Sequence, residues 1–122
     1  MSWYDGVDIS VIVGKTMKSV VNRDNYELVF ETVDGEVYKL LHFQDCCESV
    51  QITDIEGDLN DLVGNPILVS EEISNMSGES NDYESFTWTF YKFATIKGYV
   101  DVRWLGTSNG YYSESVSFVQ EK

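Results

Sequence analysis

Positive charge is scarce in this chain. Eight Lys and Arg stand against 21 Asp and Glu, a formal net charge of −13. Generic nucleic-acid affinity comes from neutralising phosphates, so this balance excludes a broad duplex-binding face and disfavours an anionic membrane surface. Long apolar runs are missing as well. None approaches the roughly 18 residues of a membrane-spanning helix. The start, Met1-Ser2-Trp3-Tyr4-Asp5, has neither the basic segment nor the apolar stretch of a secretion signal, which predicts a cytoplasmic protein. With one His and two Cys, the chain has no second cluster to complete the separated ligand spacings of a structural zinc site. The G-x-S-x-G, Walker and H-E-x-x-H patterns are missing too, so no enzymatic activity is expected. The surplus of acids has two readings: plain solubility, or a surface that competes for a basic partner protein.

What is present suits a single β domain over residues 1–122. A 43% hydrophobic and 14% aromatic share belongs to a folded chain, and the length fits one core. Turn signals recur about every 8–12 residues, as in a β meander. Strands are predicted over residues 16–21, 26–33, 36–41, 50–55 and 67–73. Asp34-Gly35 is the strongest hairpin signal. In the C-terminal third, Phe86, Trp88 and Phe90 share one face of a strand, and Thr87, Thr89, Tyr91 and Phe93 share the other. Val100, Val102 and Trp104 alternate with Tyr99, Asp101, Arg103 and Leu105 on the next strand. Residues 107–110 then predict a second hairpin loop, with a last strand over 112–119. Asp8 and Asp58 predict caps of short helices that end at Gly14 and Gly64. Residues 74–84, polar and acidic, predict a flexible loop. The expected fold is mainly β: one antiparallel sheet or sandwich of seven or eight strands with one to three short helices.

Chemistry concentrates in residues 42–48, His42-Phe43-Gln44-Asp45-Cys46-Cys47-Glu48, which hold the only His and both Cys. Asp45 and Glu48 have the D-x-x-E spacing of a capping box, which predicts a helical turn. Its N-terminus favours thiolates and the flanking carboxylates oppose them. Three readings stand: small buried thiols beside a satisfied His42, ligand contact through His42, Gln44, Asp45, Cys46 and Cys47, or a metal on His42, Asp45, Cys46 and Cys47. The thiols are expected to be reduced. Neighbouring Cα atoms lie about 3.8 Å apart, short of the usual disulfide span of about 4.4–6.8 Å.

Three Trp, eight Tyr and six Phe are many for a small core. Trp88, Tyr91, Lys92 and Arg103 could stack a base and neutralise a phosphate, with Asn109 and Tyr111 adding hydrogen-bonding groups at a loop tip. A sandwich or an oligomer interface would also make both faces of these strands apolar.

His-x-Gln-Asp-Cys-Cys-Glu-Ser-Val, Asp-Ile-x-Gly-Asp-Leu-Asn-Asp-Leu-Val-Gly-x-Pro-Ile-Leu, Thr-Trp-Thr-Phe-Tyr-Lys-Phe-Ala-Thr-Ile-Lys-Gly and Arg-Trp-x-Gly-Thr-Ser-Asn-Gly-Tyr-Tyr-Ser-Glu resemble a family of small acidic proteins from phages and bacterial genomes, catalogued as a domain of unknown function. The resemblance covers roughly residues 14–119, with minor departures at Phe43 and in the polar run at 76–82. The family brings no established chemistry and implies no cofactor. What it implies is context, because small phage proteins of this kind often act on host defence. The leading expectation is a non-enzymatic binder that sequesters a nucleotide-derived immune signal as a homo-oligomer in the host cytoplasm. That role demands that the few cations converge locally. The alternatives are an acidic inhibitor, or DNA mimic, that occupies a basic site on a host protein, and a small metal-binding accessory protein.

Overall fold

A computed structural model of the chain describes residues 4–79 and 85–122. Nine strands stand among the described residues: β1 (Tyr4–Gly6), β2 (Met17–Arg23), β3 (Glu27–Thr32), β4 (Val37–Leu41), β5 (Ser49–Glu56), β6 (Val69–Gly78), β7 (Ser85–Thr95), β8 (Gly98–Ser108) and β9 (Ser117–Glu121). They form two antiparallel sheets, a five-stranded one in the order β1-β9-β4-β3-β2 and a four-stranded one in the order β5-β8-β7-β6. The expectation of seven or eight strands falls short because β1, only three residues long, carries no alternating pattern.

The tight hairpins follow local chemistry. Asp24 and Asn25 adopt φ of 54° and 65°, a region their short polar side chains tolerate, and Asn25 N–H donates to Asn22 Oδ1 at 2.9 Å. Gly35 takes φ of 91° in the predicted Asp34-Gly35 turn. The two capped segments, Ile9–Ile12 and Leu59–Leu62, are single 3₁₀ turns instead of α-helices. Asp8 and Asp58 cap them as expected, each accepting from the N–H two residues on at 2.9 Å.

The core lies between the sheets. Leu28, Phe30, Tyr38 and Leu40 come from the first sheet, and Val50, Ile52, Phe93, Val100 and Trp104 from the second. Phe30 and Phe93 meet across the interface at 5.2 Å between ring centroids. Trp104 is fully buried.

Three sequence expectations are corrected here. Residues 107–110 do not turn a hairpin back along β8. β9 pairs with β4 and β1, so the chain crosses to the other sheet, which completes the first sheet's hydrogen bonding. Residues 74–78 continue β6 instead of forming a loop, because they pair with Phe86 to Phe90 of β7; residues 80–84 lie outside the described residues. Residues 45–48 form a bend and no helix.

Candidate functional site

The chain passes from the first sheet to the second through residues 42–48, between β4 and β5, and returns through residues 109–116, between β8 and β9. Leu41 pairs with Ser117, and Ser49 with Thr107, so the two crossovers run side by side at one end of the molecule. Most of the predicted ligand residues collect there: His42, Gln44, Asp45, Cys46, Cys47, Asn109 and Tyr111.

Their arrangement is mainly structural. His42 Nδ1 donates to the Ser115 carbonyl at 2.6 Å, tying one crossover to the other. Its Nε2 meets Glu48 Oε2 at 2.8 Å, with both side chains out of solvent. A carbonyl can only accept, so Nδ1 is the donor in the first of these bonds. Glu48 also accepts from Gln44 Nε2 at 3.1 Å and from the Asp45 and Cys46 N–H groups at 2.9 Å each. The His42 hydrogen bond, aided by the backbone donors and opposed by burial, holds the Glu48 carboxyl down at about 2. Half of the predicted capping box therefore forms without a helix: Glu48 reaches back to the Asp45 N–H as a capping acid would.

His42 and Gln44 thus point into the turn, and both ring nitrogens of His42 are already engaged in hydrogen bonds there. No group of three or more potential metal ligands occurs among the described residues. Cys46 and Cys47 are exposed and joined to each other by a disulfide, their Cα atoms 3.7 Å apart. This corrects the expectations of reduced thiols and of small buried hydrophobes. The Glu48 anchor bends the backbone so that both side chains leave on the solvent side.

Sequence reading missed a second buried carboxylate, Glu114. Its oxygens accept from Thr87 Oγ1 at 2.8 Å and from Ser108 Oγ. It rests on Gly106, where a Cβ would lie 2.7 Å from the Glu114 Cβ and 2.8 Å from its carbonyl oxygen. A glycine inside a patterned strand is the signal that marks such a close approach. Tyr111, at the tip of this crossover, is 84% exposed.

The other predicted residues separate by face. Tyr91 lies on the core side, buried, with its hydroxyl donating to Glu72 at 3.3 Å; burial foremost, then the Glu72 charge, pushes that phenol up. It cannot share a surface with Trp88, whose side chain leaves the opposite face of β7. On that outer face, ladder rows run Asp54–Arg103–Phe90–Ser74 and Glu56–Asp101–Lys92–Glu71. Both edge strands carry a bulge in this region, between Ile52 and Asp54 and between Glu72 and Ser74. The first bulge turns Asp54 outward and Ile55 inward, so the period-two alternation that buries Val50 and Ile52 does not continue through it. Here lies a cleft of about 370 Å³ lined by Asp54, Glu56, Asp101, Arg103, Phe90 and Ile73, among others. Arg103 sits 5.2 Å over the Trp88 ring and 3.8 Å from Asp54. Lys92 lies over Tyr99 at 4.7 Å, and Lys97 donates to the Val63 carbonyl at 3.2 Å. The cations therefore disperse, and three carboxylates line the cleft with Arg103 as its one basic residue.

Comparison with curated proteins and with solved structures gives no match. Residues 10–118 match the family described as a domain of unknown function, DUF7448, and the chain belongs to that family.

Proposed function

We propose that this protein is a non-enzymatic binding module whose acidic outer sheet face engages a basic site on a partner protein. The observation that carries the reading is the cleft of the four-stranded sheet. Asp54, Glu56 and Asp101 line it beside Phe90, and its single guanidinium is already shared between Asp54 and Trp88. Such a surface accepts an Arg or Lys side chain, with carboxylates for the charge and an aromatic ring for the stem or the guanidinium plane. The net charge of −13 adds long-range attraction for a basic partner and repels phosphate. In the phage context that the sequence motifs imply, this is the acidic inhibitor acting in the host cytoplasm.

The test is a titration with a short arginine-rich peptide, followed by tryptophan fluorescence at several salt concentrations. Binding should weaken steeply as salt rises and should drop in the paired variant Glu56→Gln with Asp101→Asn. Equal binding by that variant and the parent would overturn the proposal.

One contact favours the second reading, an oligomer that sequesters a nucleotide-derived immune signal of host defence. Arg103 over Trp88 at 5.2 Å pairs a stacking ring with a cation, as a base and its phosphate require. The same titration with a cyclic dinucleotide and with ADP-ribose tests it.

A further inference from the structure

We infer that Cys46 and Cys47 are a reversible thiol–disulfide exchange site, opened and closed by small monothiols and their disulfides. The bond joins neighbours in the chain, so it closes almost no loop and restrains the unfolded chain far less than a long-range bridge would. The fold has other means of holding this segment. β4 and β5 fix its two ends in different sheets, and the bend between them is held by Glu48, which accepts from His42 and from the Asp45 and Cys46 N–H groups. None of those bonds involves a sulfur. Both cysteines are exposed, and exposure distinguishes exchangeable disulfides from structural ones.

In the opening direction a monothiolate attacks one sulfur, the S–S bond breaks, and the departing sulfur takes up a proton. A second monothiol attacks the mixed disulfide, which frees the other protein thiol and releases the small symmetrical disulfide. Two hydrogens pass from the two monothiols to the protein, and closing is the reverse reaction with a small disulfide as oxidant. Asp45 and Glu48 flank the pair in a chain of net charge −13, so an anionic thiol is slowed on approach. Cysteamine, which is cationic, should open the bond faster than glutathione, and added salt should narrow the gap.

Alkylation under native conditions, read by intact mass, tests the inference on the whole chain. After treatment with oxidised glutathione neither cysteine should be labelled. After reduced glutathione both should be labelled, with the unfolding temperature unchanged. Cys47→Ser treated with oxidised glutathione should retain one glutathione on Cys46. Free thiols after the oxidising treatment, a bridge that opens only in denaturant, or a Cys47→Ser protein that folds but takes up no glutathione would each overturn the inference.

Discussion

Replacing Arg103 by Ala separates the two binding readings, because they assign the change opposite signs. Arg103 lies 3.8 Å from Asp54, and both side chains are 45% exposed. At that separation two unit charges attract by about 1 kcal/mol in water. Exposed pairs of this kind retain ~0.2–1 kcal/mol once side-chain entropy and salt are included. If the cleft takes a partner's cation, Arg103 competes for the same carboxylate, and its removal frees Asp54. Affinity for an arginine-rich peptide should then rise by about 1.4- to 5-fold, the range that those energies give. If the cleft takes a nucleotide phosphate, removing Arg103 deletes a charged hydrogen bond of about 1.5–3 kcal/mol and lowers affinity by about 10-fold or more. Calorimetric titration of the parent and Arg103→Ala proteins with peptide and with nucleotide reads both signs. Weaker peptide binding by Arg103→Ala would refute the assignment of Arg103 as a resident competitor for the acids.

Other outcomes follow from the crossovers and the core. In Gly106→Ala, the new methyl meets Glu114 backbone and Cβ at 2.7–2.8 Å, contacts that no rotamer change relieves. Overpacking of that kind costs about 1–3 kcal/mol, so the melting temperature should fall by roughly 3–12 °C in circular dichroism. Glu48 has a folded value of about 2 against an ordinary 4.5. A depressed carboxyl adds stability that is complete above 4.5 and is lost as pH falls towards 2. The parent's urea midpoint should therefore decline through this window more steeply than that of Glu48→Gln, and parallel curves would exclude the buried pair with His42. Tyr91→Phe removes a long hydrogen bond from the core side of β7, which predicts a loss of about 0.5 kcal/mol in urea unfolding.

Period-two alternation in 86–93 and 100–104 depends only on the pleat, so the strands and their two faces could be read directly. The Asp8 and Asp58 caps and the Asp34-Gly35 turn were legible for the same reason, since each is fixed within a few residues. Which face was core could not be read there, because both faces of β7 are apolar. The choice fell to the second sheet's packing against Phe30 and its neighbours, which buries Phe93 and Tyr91 and leaves Trp88 with Arg103 outside. The 42–48 segment stood out in the sequence by its rare residues, yet its role depends on partners far along the chain. The Ser115 carbonyl, 73 residues on, makes His42 a brace between two crossovers. Glu114 on Gly106 and the cleft between two bulged edges arise in the same way, where strands distant in sequence are brought side by side. Composition and short-range pattern thus determined an acidic, mainly β chain, because charge and side-chain alternation are local properties. Sheet pairing decided which residues meet, because a hydrogen-bonded ladder joins positions that no sequence spacing relates.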